Sequence, residues 1–260
     1  MTLPDIRVTV FPDAQTAARV VAERIGQLLH DKPDVVLGLA TGRTPIHLYD
    51  ELARMTASRG LDWSKVTTFN LDEFVGLHPE EPGSYRRFME EHLFRHTNLR
   101  PERINFLVGT ADPDEECDRY ERAILQAGGI DVQILGIGTN GHIGFNEPSP
   151  GLEARTHRIT LQPETRRGNA ALFGGQVDRV PTEALSVGMA TILQARKLIL
   201  LANGETKARC IAEVVHGPLT TMLPASFLQL HHDADLILDA AAASGLSLTR
   251  EKAEGKREHL

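Results

Sequence analysis

The chain has 260 residues, of which 41% are hydrophobic, enough to bury one substantial core. We therefore expect a single domain spanning residues 1–260. Its 28 Lys and Arg stand against 35 Asp and Glu, a formal net charge of -7 without long runs of one sign. A chain with this charge distribution is not expected to have a basic surface patch that would bind nucleic acid or an anionic membrane. A small-molecule substrate is expected instead.

The N-terminal sequence MTLPDIRVTVFPD has no basic segment followed by an apolar one. We expect no secretory signal and a cytoplasmic location. No apolar run approaches the ~20 residues that span a bilayer. Cys117 and Cys210 lie far apart without CxxC spacing, which favours two buried small hydrophobic side chains over a zinc or redox site.

Short β-branched apolar runs alternate with amphipathic stretches, a pattern typical of an α/β protein with a parallel sheet covered by helices on both faces. The predicted strands are Ile6–Phe11, Val35–Ala40, Val66–Asn70, Ile104–Val108, Val132–Ile137, His157–Leu161, Leu198–Ala202 and Leu236–Leu238. The predicted helices are Ala14–Leu29, one from Pro45, Tyr85–Phe94, Glu115–Ala127 and Glu205–Val215. Gly138–Val180 is less regular, as lids often are, and Glu251–Leu260 is expected to be a frayed tail.

The first informative motif is VVLGLATGRTP, in which an apolar strand runs into Thr41, Gly42, Arg43 and Thr44 and then into a helix. Backbone N–H groups, two hydroxyls and the positive end of a helix dipole make a phosphate site there. The loop lacks the Gly-Lys-Ser/Thr ending of a Walker A motif and is not GxGxxG, so no nucleotide is implied. An ordinary capped helix start is the alternative.

The second motif is TTFNLDEFVGL, where a strand ends and delivers Asp72 and Glu73 to the carboxyl edge of the sheet. Open α/β sheets bind their ligands at that edge. A carboxylate flanked by apolar residues is partly desolvated, and the raised pKa that results suits a general base acting α to a carbonyl. A solvated pair of loop acids is the alternative.

The third motif, ILGIGTNGHIGFNEP, is the most informative, because four glycines surround Asn140, His142 and Glu147. Such a backbone bends sharply or approaches a ligand closely. His142 is a natural proton shuttle near neutral pH, with Asn140 or Glu147 fixing its tautomer. No second histidine stands at HExxH spacing, so no metal is expected.

Taken in order, LGLATGRTP, FNLDEFVGL, GIGTNGHIGFNEP and the later GETKA closely resemble the glucosamine-6-phosphate deaminase family over nearly the whole chain. The related 6-phosphogluconolactonases typically have D-E-R and G-P-D-G-H-T-A-S where this chain has LDEF and TNGHIGF. The resemblance implies a doubly wound, mainly parallel, Rossmann-like sheet. It also implies isomerisation and deamination of an amino-sugar phosphate, without a cofactor.

The resemblance further implies a role for each matching residue. Asp72 would move a proton from C2 to C1 of the opened sugar, and His142 would open the ring, oriented or polarised by Glu147 and Asn140. Some relatives have Asp where this chain has Asn140. The loop Thr41–Thr44 and Lys207 would hold the phosphate. An arginine of the family's A-N-x-R pattern falls on Ala171, and Arg43 is the candidate replacement, with Arg166, Arg167 or a partner subunit as alternatives.

Other functions remain open at this point. A deaminase for galactosamine 6-phosphate differs only in the C4 epimer, which the sequence does not separate. A lactonase-like hydrolase is less favoured, because the chain lacks the arginine-bearing motif after Asp72. A sugar-phosphate sensor domain is also less favoured, because the sequence shows no helix-turn-helix extension. A homo-oligomer is a further expectation for an α/β enzyme of this size.

Overall fold

The computed structural model describes residues 6–246. The strands of this part of the chain are β1 Arg7–Phe11, β2 Val36–Leu39, β3 Thr67–Asn70, β4 Asp72–Phe74, β5 Ile104–Asn105, β6 Val132–Leu135, β7 His157–Thr160, β8 Glu183–Ser186, β9 Lys197–Ala202 and β10 Ala234–Asp239. Its α-helices are α1 Ala14–Asp31, α2 Ile46–Arg59, α3 Tyr85–His92, α4 Pro113–Gln126, α5 Pro163–Asn169, α6 Met189–Leu193 and α7 Ala208–His216. The predicted tail, Glu251–Leu260, lies outside the described residues.

Seven strands form one sheet in the order β1-β10-β9-β6-β2-β3-β5. Every neighbouring pair in it is parallel. From β2 the chain adds β3 and β5 on one side, and from β6 it adds β9 and β10 on the other. The order therefore reverses between β2 and β6, and a crevice opens at their carboxyl ends. The predicted doubly wound, mainly parallel sheet is confirmed.

Apolar side chains of the central strands alternate between two cores, one on each face of the sheet. On β9, Ile199 and Leu201 pack with α1, α2 and α3, whereas Leu198 and Leu200 pack with α4, α6 and α7. Successive strand residues point to opposite faces, so a strand covered on both sides needs a continuous apolar run. This explains why the central strands are recognisable from their composition, and why helices cover both faces.

A second, antiparallel sheet in the order β4-β8-β7 lies beside the main one. The sequence predicted β7, but β4 and β8 were missed because DEF and EALS carry no apolar run. β7 also differs from the central strands of the main sheet, since its residues alternate between half-buried and exposed. β8 lies between β7 and β4, and β4 begins at Asp72, so this sheet holds one candidate site residue in place.

The irregular segment predicted over Gly138–Val180 contains β7, α5 and two short 3-10 turns. An aromatic cluster packs it against the rest of the molecule. Phe74 of β4 lies 4.8 Å from Tyr85, 5.5 Å from Phe145 and 5.5 Å from Phe173, measured between ring centroids. The cluster therefore joins β4, the first turn of α3, the glycine-rich loop and the turn after α5. Within residues 6–246 no helix is long and apolar enough to cross a membrane.

Gly109 offers a test of how the antiparallel sheet is held against the parallel one. Its carbonyl accepts a hydrogen bond from Gly76 N at 2.7 Å, and an added Cβ would lie 2.1 Å from the carbonyl oxygen of Phe74. We expect Gly109→Ala to lower the free energy of unfolding by about 1–3 kcal/mol, because backbone rather than a flexible side chain must shift. Urea unfolding measures the change.

Gly151→Ala is the matched control, since an added Cβ at this exposed position meets nothing within 4 Å. Its free energy of unfolding should stay within about 0.5 kcal/mol of the wild type. An equal loss in both variants would mean that the contact between Gly109 and Phe74 is not what holds the two sheets together.

Candidate active site

A cavity of about 620 Å³ lies at the carboxyl ends of β2, β3, β6 and β9. These four strands are neighbours in the parallel sheet, so the segments that follow them meet at one edge. Eight of the predicted site residues line it: Thr41, Gly42, Arg43, Thr44, Asp72, Asn140, His142 and Lys207. The ninth, Glu147, is buried behind the wall and reaches the site through His142 and Asn140.

The positively charged end of the cavity lies between the loop after β2 and the turn before α7. Arg43 is exposed and Lys207 is half-buried, and both residues line the cavity. Burial lowers the pKa of Lys207, and the Arg43 guanidinium lowers it further, against the opposing influence of Cys210 and Glu164. Two cations that face one cavity and repel each other favour an anion between them.

The start of α2 lies at this same end. No side chain caps the helix at Pro45, so its first N–H groups have no side-chain partner there. Gly42 has φ +102, a conformation that a residue with a Cβ rarely adopts. The start of α2 therefore has no side-chain cap, and its predicted use as a phosphate site stays a prediction.

The two hydroxyls of this loop already have protein partners. Thr41 Oγ1 donates to Asp72 Oδ1 at 3.4 Å, and Thr44 Oγ1 donates to Asn203 Oδ1 at 3.3 Å. Thr41 thus contacts the carboxylate of the neighbouring strand, and Thr44 ties the loop to the segment after β9. Their predicted contacts with a phosphate stay predictions.

Asp72 is the first residue of β4 and is 5% exposed, at the wall of the cavity. Burial raises the pKa of its carboxyl group, the adjacent Glu73 raises it further, and Thr41 opposes them, with a result of about 8. A carboxylate whose pKa lies near the working pH is well matched to proton abstraction. The predicted desolvation at this position is present in the structure.

Glu73, which the sequence placed beside Asp72, has a different environment. It points away from the cavity and accepts hydrogen bonds from Ser84 Oγ and from the backbone N of Phe74, Tyr85 and Arg86, at 2.8 to 3.0 Å. Burial still raises its pKa, although these four donors oppose the shift. Glu73 therefore fixes the start of α3 against β4, and of the two acids only Asp72 faces the cavity.

His142, Glu147 and Asn140 meet as the third motif predicted. Glu147 Oε2 accepts from Asn140 Nδ2 at 3.0 Å and lies 3.5 Å from His142 Nδ1, while the backbone N of His142 donates to Asn140 Oδ1 at 3.2 Å. At 3.5 Å the Nδ1 contact is longer than an ordinary hydrogen bond and is mainly electrostatic. Asn140 thus orients the carboxylate and the loop rather than the imidazole itself.

Burial of Glu147 would by itself raise its pKa. His142, Thr165 and Asn140 outweigh burial and hold the pKa below the usual range of a glutamate. The carboxylate therefore stays ionised beside the imidazole, and this favours the tautomer that carries its proton on Nδ1. A Cβ at Gly138 would lie 2.3 Å from the ring, so this glycine makes room for His142.

Several cavity residues were not singled out from the sequence: His47 of α2, Tyr85 of α3, and Thr165 and Asn169 of α5. Tyr85 and His47 sit at helix starts whose position next to the cavity depends on the fold. Thr165 and Asn169 could have been predicted to lie side by side, because Pro163 favours a helix start and residues four apart share one face of a helix.

The position of the missing arginine is clear in the structure. Ala171 is exposed in the turn after α5 and does not line the cavity. Arg166 binds the carbonyl oxygens of Val177 and Val180, and Arg167 is exposed away from the site. Neither therefore reaches the cavity, whereas Arg43 does.

Residues 13–237 match the family of glucosamine-6-phosphate isomerases and 6-phosphogluconolactonases. The chain belongs to this family. It is 49% identical over 240 residues to a glucosamine-6-phosphate deaminase of Halothermothrix orenii, covering 92% of this chain and 99% of the relative. It is 48% identical over 234 residues to glucosamine-6-phosphate deaminase 2 of Giardia intestinalis, covering 90% of this chain and 89% of that protein.

Solved structures of this family differ in how similar they are to this chain. A monomeric glucosamine-6-phosphate deaminase is 38% identical, with a TM-score of 0.89 over 92% of this chain and all of its own. A 6-phosphogluconolactonase from Trypanosoma cruzi is 18% identical with a TM-score of 0.74, covering 95% of this chain and 98% of that one, which is a likeness of fold alone. The predicted family and fold are confirmed.

The raised pKa of Asp72 has a consequence for stability. The folded protein keeps the proton up to a pH of about 8, whereas the unfolded chain releases it near 3.8. Between these values the folded state binds the extra proton, so Asp72 lowers stability as the pH rises. We expect Asp72→Asn to be more stable than the wild type, by a margin that widens up to a pH of about 8 and is constant above it.

Thermal unfolding of both proteins from pH 4 to 9 measures this margin. Asp118→Asn, at an exposed carboxylate of α4, is the control and should show no comparable widening. A margin for Asp72→Asn that narrows with rising pH would contradict the argument.

Proposed function

We propose that this protein converts glucosamine 6-phosphate to fructose 6-phosphate and ammonia. The observation that carries the proposal is one cavity with a buried Asp72 on its wall, a His142–Glu147 pair on another, and two cations at one end. Relatives that are 48% and 49% identical are named glucosamine-6-phosphate deaminases, and this supports the same activity here.

Ring opening is the first step. His142 is on the cavity wall with Nδ1 facing Glu147, which leaves Nε2 as the nitrogen that exchanges a proton with the ring oxygen of the sugar. A proton reaches the ring oxygen as the hydroxyl on C1 loses one, and the C1–O bond to the ring breaks. The product is the open aldehyde, whose C2 proton is acidic.

Proton transfer from C2 to C1 follows, with Asp72 as the base. Its carboxylate takes the C2 proton while the aldehyde oxygen gains the proton that the ammonium group gives up, and the product is an enediol-type intermediate. Return of the first proton to C1 then gives a ketose imine. Water adds to the imine carbon, and the C–N bond breaks to release ammonia. The ammonium group of the bound substrate lies next to C2, and its charge favours the ionised form of Asp72 in the complex.

The phosphate is assigned to the positively charged end of the cavity. The start of α2, the loop Thr41–Thr44 and Lys207 supply N–H groups, hydroxyls and charge, and Arg43 supplies the guanidinium that the chain lacks at Ala171. Binding of a dianion there would also favour the charged form of Lys207. The same cavity accommodates either C4 epimer by size, so galactosamine 6-phosphate stays the alternative substrate.

Three earlier expectations stay predictions of this proposal: a single domain, a cytoplasmic location and a homo-oligomer. The monomeric state of the solved relative is a property of that protein. Sedimentation of the purified chain distinguishes a monomer from an oligomer.

The activity itself is tested by ammonia release. We expect the purified chain, with EDTA and no added cofactor, to release ammonia from glucosamine 6-phosphate and less from galactosamine and N-acetylglucosamine 6-phosphates. The Asp72→Asn control should release none, since an amide does not accept the C2 proton. Activity that is lost with EDTA and returns with a divalent metal, or ammonia release by the asparagine variant, would contradict the mechanism.

The role of Arg43 is tested separately. Within residues 6–246 its guanidinium makes no ion pair, so it is available to grip a phosphate. A charge-assisted hydrogen bond contributes about 1.5–3 kcal/mol, so Arg43→Ala should raise KM about ten- to a hundredfold. We expect kcat to change little, because the phosphate is held equally in the ground and transition states.

Arg167→Ala is the matched control, because this arginine of α5 is exposed and does not line the cavity. It should leave KM unchanged. Equal KM values for the wild type and the Arg43 variant would mean that another group replaces the missing arginine.

A further inference from the structure

Glu147 is held at both of its carboxylate oxygens. Oε2 faces Asn140 and His142 at 3.0 Å and 3.5 Å. Oε1 accepts a hydrogen bond from the hydroxyl of Thr165. Glu147 and Thr165 are 3% and 5% exposed, so no bulk water competes for these contacts. The orientation of the carboxylate toward His142 therefore depends on a donor from outside the glycine-rich loop.

That donor belongs to α5, and Glu164 and Asn169 of the same helix also line the cavity. Asn169 Nδ2 donates to Thr165 O at 3.0 Å, and Tyr85 OH donates to Asn169 Oδ1 at 2.9 Å. Thr139 Oγ1, in the glycine-rich loop, donates to Glu164 Oε1 at 3.1 Å. A continuous chain of contacts thus runs from α3 through α5 to the buried carboxylate.

We propose that Thr165 is a positioning residue for the ring-opening histidine, which acts by holding Glu147 so that its second oxygen faces His142 Nδ1. This inference rests on the proposed function, because it assigns a role within the same reaction. It also predicts a property of the protein without substrate, namely the tautomer of the His142 ring.

The physical reason is that removal of the hydroxyl leaves Oε1 buried without a donor, which is more costly than never having the pair. The carboxylate then rotates toward the remaining donor, the amide of Asn140. The contact with His142 Nδ1 is already 3.5 Å long, so a small rotation of the carboxylate breaks it. The imidazole then no longer prefers to carry its proton on Nδ1. Nε2 is protonated in part of the molecules and cannot accept a proton from the sugar there.

The test compares Thr165→Val, which keeps the shape but removes the hydroxyl, with Thr165→Ser, which keeps the hydroxyl. We expect the valine variant to lose about ten- to a hundredfold in kcat, the loss typical of a hydrogen bond to a charged group. KM should change less than about threefold, because the hydroxyl of Thr165 is engaged by Glu147. The serine variant should restore most of kcat.

A second measurement, of the His142 tautomer, needs no substrate. The ¹⁵N shifts of the His142 ring should show the Nδ1-protonated tautomer in the wild type and the serine variant, and a mixture in the valine variant. If the valine variant does not fold, the smaller Thr165→Ala gives the same two readings.

Arg166→Gln is the matched control, since it loosens the attachment of α5 to Val177 and Val180 without touching Glu147. It should leave the His142 tautomer as in the wild type. If Thr165→Val lowers the melting temperature but leaves the tautomer and kcat unchanged, Thr165 is only structural and the inference is overturned. If the wild type releases no ammonia while the tautomer still shifts, the proposed function fails and the positioning of His142 stands.

Discussion

The site depends on one constraint, that β9, β6, β2 and β3 are adjacent parallel strands whose carboxyl ends share an edge. Each strand is fixed in register by backbone hydrogen bonds to its neighbours, so the residue that follows it has little freedom. Asp72, Arg43, His142 and Lys207 come from four separate parts of the sequence. They meet because the sheet brings four chain segments to one crevice.

Three buried carboxylates near this edge have three different environments. Asp72 has one weak donor and faces a cavity, so burial dominates and raises its pKa to about 8. Glu73 has four donors and holds a helix start. Glu147 has donors and an imidazole that together overcome burial, so its pKa is lowered. The neighbours of each carboxylate therefore separate an acid suited to proton abstraction from one that supports a histidine.

The sequence predicted the parts of the fold that rest on composition. Strands covered on both faces need continuous apolar runs, so β2, β6, β9 and β10 were found with small errors at their ends. β4 and β8 were missed, because a short strand with one polar face carries little pattern. β5 was predicted three residues too long, since the apolar residues after Asn105 pack as a loop.

For the candidate site, the residues next to glycines and strand ends were recognisable, because sharp turns leave a mark in the sequence. Glu147 was found as a neighbour of His142, but its burial and its contact with Thr165 were not. Thr165 lies 18 positions further along the chain. Contacts of this kind depend on how α5 packs on the loop, and nothing in a single segment encodes them.

The raised pKa of Asp72, about 8, has one more consequence for the proposed mechanism. Below a pH of about 8 the Asp72 carboxyl group carries a proton, and in the proposed mechanism the substrate brings its ammonium charge next to this group. The proton and the amino sugar therefore act as competing ligands of a single carboxylate, although they occupy different atoms. The ketose that leaves has no charge at C2, so it matches the protonated site better than the substrate does. Acidity thus shifts the occupancy of this cavity away from the amino sugar and toward the neutral product.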